Sequence, residues 1–294
     1  NGRSFCSRVP TVGLRLTRNG WRQFHNDLLL AICPRTINRM NDSKPQSTLP
    51  KSEESTFRKL LSTLIEKRGD TPDWPHVLLP LLQGEFQARL KQRVWYTGAR
   101  LLIDRDDKDP TDAKAGLEKS ATRMLFKRCR DEASGCFTVG DRRFWLLSYE
   151  VPNFSNRSRQ CADLVGLSDA GGVVVFECKL ENPYSPLTSL IEGLDYLSCL
   201  VAEPNFGRLR DEFQQWRAKS GQLIPQGFED VTPRSSASEV IVLGSPAYYA
   251  PYRQSRRGEG WGDLATLCER WQDQPKMGFA VTDFQSTSAA WIAS

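Results

Sequence analysis

Histidine is scarce in this chain of 294 residues, which contains only His25 and His76. Catalytic triads rely on a histidine base, and most catalytic zinc sites use histidine ligands, so neither kind of site is expected. The eight cysteines include no CxxC pair and no spacing typical of a zinc site. Any chemistry is therefore expected to rest on carboxylates, lysine and tyrosine.

Long apolar runs and phosphate-binding loops are missing as well. The longest apolar run, Leu28–Cys33, is far too short to cross a bilayer. The chain has neither the GxGxxG pattern of dinucleotide sites nor the GxxxxGKS/T pattern of P-loops. We interpret the cysteines as thiols in a reducing compartment and expect a cytoplasmic protein that does not associate with membranes.

The net charge of +5 is unevenly distributed along the chain. Residues 1–39 contain seven arginines, no lysine and one acid, Asp27, and so carry an excess of six positive charges. The remainder of the chain therefore has a net charge of −1 and is not a broadly basic body of the kind that binds nucleic acid. Contacts with nucleic acid are expected to come from local patches.

The arginine-rich start allows three interpretations. Residues 1–39 are upstream sequence with Met40 as the native start, or an organelle transit segment, or a basic arm that binds nucleic acid. We favour the first interpretation. We divide the rest by composition into a basic leader and flexible linker over residues 1–55, a helical accessory region over 56–102 and a main domain over 115–294.

The most informative stretch of the chain is the segment from Cys161 to Lys179. Two apolar runs rich in β-branched residues, Ala162–Leu167 and Val173–Phe176, flank a short segment of Gly, Asp, Ser and Ala. This pattern is typical of a β-hairpin, because apolar strand residues are interrupted by residues that favour tight turns.

Charged residues occupy positions in this hairpin where a structural strand prefers apolar ones. A turn centred on Ala170 places Asp163 opposite Glu177, with Cβ atoms about 4.5–5.5 Å apart, and Lys179 on the same face as Glu177. Two carboxylates this close repel each other unless a proton or a cation lies between them, so the pattern predicts a metal site. The structural alternative is an edge-strand charge at Asp163 and an exposed ion pair between Glu177 and Lys179.

Helices are predicted on either side of the hairpin, over Leu117–Arg130 and Leu187–Val201. The first carries Glu118, and the second carries Glu192 and Tyr196, which share a face because they are four residues apart. From residue 117 the predicted order is α-β-β-β-α-(α)-β-α-β. Three consecutive strands followed by a helical crossover imply an α/β fold with a mixed sheet and helices on its faces.

These residues, in this order, resemble the PD-(D/E)XK nuclease superfamily over roughly residues 115–285. Asp163 takes the position of the motif's aspartate, although it follows Ala162 rather than proline, and Glu177 to Lys179 take the (D/E)XK positions. The segment from Glu192 to Tyr196 resembles the QxxxY helix of RecB-like members, with glutamate in place of glutamine. The resemblance implies a restriction-endonuclease-like mixed sheet with an α-β-β-β-α-β core flanked by helices.

The resemblance also implies metal-dependent hydrolysis of phosphodiester bonds in nucleic acid, with DNA as the expected substrate. Mg²⁺, or Mn²⁺ in its place, would be held by Asp163, Glu177 and the backbone carbonyl of Cys178. Lys179 would position the attacking water or stabilise negative charge in the transition state. Glu118 would help to hold a metal or a water.

The loop from Tyr248 to Arg257 is a second candidate for contact with nucleic acid. It interleaves tyrosines with arginines, and aromatic rings stack on bases while arginines neutralise phosphates. The structural alternative is a surface loop anchored by its tyrosines. Together with the second helix, the predicted nucleic-acid contacts are Glu192, Tyr196, Tyr252, Arg253, Arg256 and Arg257.

Two rival functions stay open on the sequence alone. One is a catalytically inactive nuclease-fold protein that binds nucleic acid or a protein partner, and the other is a nuclease directed at RNA. The joint presence of Asp163, Glu177 and Lys179 argues against the first rival, because an inactive member is expected to have lost at least one of them. The sequence does not specify the oligomeric state, and it does not distinguish an endonuclease from an exonuclease.

Overall fold

A computed structural model describes eight ranges of the chain: 74–91, 101–102, 117–153, 160–181, 184–219, 224–253, 260–271 and 275–294. The chain divides into residues 1–50 and residues 51–294, and every described residue belongs to the second part. The predicted leader and linker over residues 1–55, with Met40, lie outside the described residues, as do Arg256 and Arg257.

Helices precede and follow a run of four strands in the described part of the chain. First come α1 (Trp74–Lys91), α2 (Leu117–Ala133), β1 (Cys136–Val139), β2 (Arg142–Asn153), β3 (Gln160–Ser168) and β4 (Gly172–Lys179). Then come α3 (Pro186–Val201), α4 (Asn205–Arg217), β5 (Arg234–Gly244), the short α5 (Pro246–Tyr249) with a 3₁₀ turn over Ala250–Tyr252, α6 (Trp261–Arg270), β6 (Lys276–Val281) and β7 (Ser288–Ala293).

The seven strands form a closed mixed barrel in the order β1 to β7. Strands β1 to β4 form an antiparallel meander, β4, β5 and β6 are parallel to one another, and β7 runs antiparallel to β6. The barrel closes where β1 and β7 pair in parallel over two residue pairs. There the amide of Thr138 donates a 3.0 Å hydrogen bond to the carbonyl of Thr287, and the amide of Gly140 donates one of 3.0 Å to the carbonyl of Ala289.

The expectation of an open, restriction-endonuclease-like sheet is therefore wrong. The strands that the sequence pattern predicts are present as β2 to β6, but β1 and β7 were not predicted. These two strands join the ends of the sheet, so leaving them out left the sheet open. Strand β1 has only four residues, and β7 is half-exposed and rich in small residues, so neither gives a clear alternating pattern.

The hairpin of β3 and β4 has the register that the sequence predicts. Leu164 pairs with Phe176, as a turn centred on Ala170 requires. At the turn, Gly171 has a φ of 82°, and a Cβ there would lie 2.3 Å from the carbonyl oxygen of Thr232. Only glycine fits this position, because it tolerates positive φ and leaves room for the neighbouring backbone. The register that opposes Asp163 and Glu177 is thereby confirmed.

Alternate residues of β4 enter two different hydrophobic clusters on the two faces of the sheet. Phe176 and Cys178 pack in a cluster that includes Leu125 of α2. Val173 and Val175 belong to a larger cluster that also contains apolar residues of α1, α3, α4 and α6. Strand β4 is buried along its whole length, as expected for a central strand covered on both sides.

Helix α1 contributes to the larger cluster. Its residues Leu82 and Phe86 are fully buried there, and Pro80 lies inside the helix. None of the described helices is both long and apolar enough to span a bilayer.

Candidate active site

Two charged residues are buried at the carboxyl end of β4. The side chains of Glu177 and Lys179 are only 4% and 6% exposed, and the Lys179 ammonium donates a 2.7 Å hydrogen bond to Glu177 Oε1. Glu177 and Lys179 follow Val175 by two and four residues, so they lie on the same face of the strand, which is the face covered by α3. The structural alternative of an exposed ion pair is therefore wrong for these two residues.

Asp163 lies beside this pair on the neighbouring strand. Its carboxylate oxygen Oδ2 accepts a 2.9 Å hydrogen bond from the amide of Cys178, and its side chain is half-buried. Since Leu164 pairs with Phe176, the continuation of the same register brings Asp163 next to Glu177. The predicted pair of carboxylates is thus brought together at one point of the hairpin.

Two further acids reach Lys179 from helices. Glu118, in the first turn of α2, has one carboxylate oxygen 4.0 Å from the ammonium, and its other oxygen accepts a 3.2 Å hydrogen bond from the amide of Leu180. Glu192, in the middle of α3, has an oxygen 3.5 Å from the ammonium. The side chains of Glu118 and Glu192 are 33% and 27% exposed, so the group opens to solvent on their side.

We call this group the acid cluster: Lys179 with Glu118, Asp163, Glu177 and Glu192. Four carboxylates face one ammonium, an excess of three negative charges when all are ionised. Burial, and then the charges of two neighbouring acids, raise the pKa of Asp163 from 3.8 to about 6, although Lys179 and the Cys178 amide act in the opposite direction. Burial and the neighbouring acids also raise the pKa of Glu177 well above its usual range.

Lys179 stays charged in this environment. Burial by itself lowers the pKa of the ammonium, but the four carboxylates outweigh burial and raise it well above its usual value. A lysine that keeps its proton cannot act as a nucleophile or as a base. It can neutralise negative charge, which is what a phosphate requires.

One oxygen of the acid cluster has no hydrogen-bond partner among the described residues. This atom, Oε2 of Glu177, is fully buried. Leaving a buried polar atom unpaired costs on the order of 1–3 kcal/mol, and such atoms in folded proteins frequently mark the place of an ion or a water. A proton or a bound cation on this oxygen would supply the missing partner.

No group of three or more His, Cys, Asp or Glu side chains in the described ranges is already arranged as a metal cage. Lys179 lies among the acids and pairs with three of them. Mg²⁺ is commonly held by one or two carboxylates, while waters and a substrate phosphate complete its coordination. Asp163 and Glu177 offer two carboxylates of this kind, so the donor set fits Mg²⁺ or Mn²⁺.

Gly193 determines how closely α3 approaches the sheet. A Cβ at this position would lie 2.5 Å from Cγ1 of Val240 on β5 and 3.8 Å from Cβ of Glu177. The helix backbone therefore rests directly on β4 and β5. This close approach brings the preceding residue, Glu192, to Lys179.

Ser245 fixes the end of β4 from the side of β5. Its amide donates a 2.9 Å hydrogen bond to the carbonyl of Lys179, and its hydroxyl donates one of 2.5 Å to the carbonyl of Leu180. The same hydroxyl accepts a 3.0 Å hydrogen bond from the amide of Tyr248 and so caps α5. The sequence reasoning missed Ser245, although serine followed by Pro246 after an apolar strand is a helix-start signal.

The predicted loop from Tyr248 onwards begins instead as the end of α5 and the 3₁₀ turn after it, and this segment is anchored to α3. The hydroxyl of Tyr248 lies 3.0 Å from the hydroxyl of Ser189, and the ring of Tyr252 packs 6.3 Å from the ring of Tyr248. Arg253 is exposed, and its guanidinium lies 5.9 Å from the centre of the Trp261 ring. The loop therefore begins next to the helix that carries part of the acid cluster. The two arginines further along the loop lie outside the described residues.

Tyr196 follows Glu192 by one turn of α3 and is buried in the larger hydrophobic cluster. Burial, followed by the charges of Glu177 and Glu192, raises the pKa of Tyr196 well above its usual value, so its phenol stays neutral. The contacts with nucleic acid predicted for Tyr196 and Glu192 stay predictions. Both residues are nevertheless brought to the acid cluster, as their spacing on one helix face suggests.

Comparisons with known proteins do not assign a family to this chain. No family model matches it, and neither the curated proteins nor the solved structures gave a significant match. The acid cluster is therefore the basis for assigning a function.

Proposed function

We propose that this protein hydrolyses phosphodiester bonds in nucleic acid, with DNA as the substrate and Mg²⁺ or Mn²⁺ as the cofactor. The observation that carries the proposal is the gathering of four carboxyl groups around the Lys179 ammonium, together with the unpaired Oε2 of Glu177. A fold tolerates such an arrangement at a cost in stability, and a bound divalent cation removes much of that cost.

The residues of the acid cluster have different roles in the proposed reaction. Asp163 and Glu177 are the carboxylates that would hold the metal, with the carbonyl of Cys178 as a further ligand implied by the resemblance and Glu118 as a holder of metal or water. When bound, the metal supplies a positive charge for the phosphate and a water of lowered pKa. Lys179 keeps its proton and stabilises the negative charge that develops on the phosphate, or orients the water.

The resemblance to PD-(D/E)XK nucleases supports this proposal through the arrangement of the site residues, and not through the fold. Asp163, Glu177 and Lys179 stand at adjacent positions of a hairpin, as that motif requires, and Glu118 joins them from a preceding helix. Membership of that superfamily is proposed on these residues.

The side of the acid cluster on which Glu118 and Glu192 are partly exposed is the side from which a substrate can approach. Tyr252 and Arg253 lie on the loop that is anchored to α3, and we propose that they contact the nucleic acid next to the scissile phosphate. None of the six cysteines within the described ranges forms a disulfide, which supports a reducing compartment such as the cytoplasm.

The test is a cleavage assay with labelled DNA in the presence of Mg²⁺, Mn²⁺ or a chelator. Wild-type protein should cleave DNA only with the metal, and Asp163→Ala and Lys179→Ala should each reduce cleavage by about 100-fold or more. Asp211→Ala on α4 and Lys127→Ala on α2 are matched controls, because each removes the same charge at an exposed position. Both controls should cleave at the wild-type rate.

Each rival function gives a different outcome in this assay. Equal cleavage by the wild type and both site variants removes Asp163 and Lys179 from the mechanism. Binding of DNA or of a protein partner without cleavage, and without uptake of metal in a calorimetric titration, favours the catalytically inactive rival. Cleavage of a matched RNA but not of DNA assigns the site to RNA.

A further inference from the structure

Glu177 takes part in two interactions that compete with each other. Its Oε1 accepts the 2.7 Å hydrogen bond from the Lys179 ammonium, and its unpaired Oε2 belongs to the carboxylate that we propose to hold the metal. A divalent cation on a carboxylate repels an ammonium that is hydrogen-bonded to the same carboxylate. Binding of a cation by Glu177 therefore weakens its pair with Lys179.

The ammonium then needs another partner, because Lys179 is only 6% exposed and a buried charge without a counter-charge is costly. Glu192 has an oxygen 3.5 Å away, closer than the oxygen of Glu118 at 4.0 Å. Glu118 is also engaged by the amide of Leu180. Glu192 is therefore the nearest carboxylate that can receive the ammonium.

We propose that Glu192 is a positioning residue that takes over the Lys179 ammonium when Glu177 binds a divalent cation. This inference rests on the proposed function of the acid cluster. Glu192 is 27% exposed whereas Glu177 is 4% exposed, so the transfer carries the ammonium from the buried side of the cluster towards the open side. A full negative charge at this position serves the transfer better than a neutral amide, because hydrogen bonds between charged groups are stronger.

The first experiment is a calorimetric titration of Mn²⁺ into four proteins: the wild type, Glu192→Gln, Lys179→Met and the double variant. In the wild-type background, Glu192→Gln should weaken Mn²⁺ binding by about tenfold, because the ammonium that the cation displaces from Glu177 then finds no full negative charge at residue 192. In the Lys179→Met background no ammonium has to move, so the same change should weaken binding by only about twofold, the direct effect of one lost charge.

Two outcomes of the titration overturn the proposal. An equal loss of affinity in both backgrounds means that Glu192 acts as a ligand or by its charge alone. No loss in either background means that Glu192 takes no part in metal binding. A wild-type protein that takes up no Mn²⁺ refutes the proposed function, and the inference falls with it, which distinguishes this failure from the other two.

The second experiment follows Lys179 directly and needs no variant of the lysine. Acetylation of Lys179 by acetic anhydride is measured by mass spectrometry, with the exposed Lys127 as the internal reference for the reagent. With Mn²⁺, Lys179 should stay slow to react in the wild type and react several-fold faster in Glu192→Gln. Without metal, Glu177 should protect it in both proteins. Equal acetylation of Lys179 in the two metal-bound proteins contradicts the proposal, even where Lys179→Met does not fold.

Discussion

The raised pKa of Asp163 affects the stability of the folded protein whenever no cation is bound. The folded protein holds this proton up to about pH 6, whereas the unfolded chain releases it near 3.8. Between these values the folded state binds more protons, so the free energy of unfolding falls as the pH rises through this window. The loss is at most about 3 kcal/mol, because each pKa unit corresponds to about 1.4 kcal/mol.

We therefore expect Asp163→Asn to abolish metal binding and cleavage while making the metal-free protein more stable at pH 8, by about 1–3 kcal/mol. The asparagine oxygen can still accept the hydrogen bond from the amide of Cys178, and the repelling charge is gone. Denaturation in urea with a chelator, at pH 4 and at pH 8, measures the change. At pH 4 the gain should be small, since aspartate is then largely protonated in the folded protein.

Asp211→Asn, which removes a charge at an exposed site, is the matched control and should change stability by less than about 0.5 kcal/mol at either pH. A loss of stability in Asp163→Asn at pH 8 would show that this carboxylate is structural.

The sequence predicts the pair of Asp163 and Glu177 because both lie on one hairpin, where a period of two and a glycine turn determine which residues oppose each other. It does not predict that Glu118 pairs with Lys179, because that contact joins segments about 60 residues apart. Sequence patterns also do not predict the unpaired oxygen of Glu177, because its hydrogen bonding depends on the side chains that surround the strand on all sides.

The position of α3 on the sheet depends on Gly193, where a Cβ would come within 2.5 Å of Val240. We expect Gly193→Ala to destabilise the protein by about 1–3 kcal/mol, because overpacking outweighs the better helix propensity of alanine. It should also weaken Mn²⁺ binding, because the helix that carries Glu192 must shift. Thermal unfolding and calorimetric titration measure the two effects.

Gly84→Ala on α1 is the control for this change. Nothing lies within 4 Å of a Cβ at Gly84, so alanine there should stabilise the protein by about 0.5–1 kcal/mol. If Gly193→Ala is stabilising to the same extent, α3 does not rest on β5 as described.

Helices and strands with strong periodicity were predicted to within a few residues. For α3, the apolar pattern predicts a helix over Leu187–Val201, and the structure has a helix over Pro186–Val201. The two strands that were missed pair with their neighbours along the chain, β1 with β2 and β7 with β6, and close the barrel through a pairing between the two ends of the sheet. Strand β1 pairs with β7, and neither carries a local pattern that reveals the other. Closure of the barrel is therefore a property of tertiary pairing, which local sequence patterns do not encode.

Hydrogen exchange can test the closure of the barrel. The amides of Thr138 and Gly140 should exchange slowly, because both donate hydrogen bonds across the junction of β1 and β7. Trp291 of β7 packs against Gly140, so Trp291→Ala should speed the exchange of these two amides by about tenfold or more. Val174 in the central strand β4 should keep its protection. Fast exchange of Thr138 and Gly140 in the wild type would indicate an open sheet.

The two residue pairs that close the barrel also have a consequence for aggregation. While β1 and β7 are joined, each of the seven described strands has a partner strand on both sides over at least part of its length. Opening this short junction exposes two edges at once, and each can template the addition of a strand from a second chain. Protein lost to aggregates under mild heating should therefore originate at this junction.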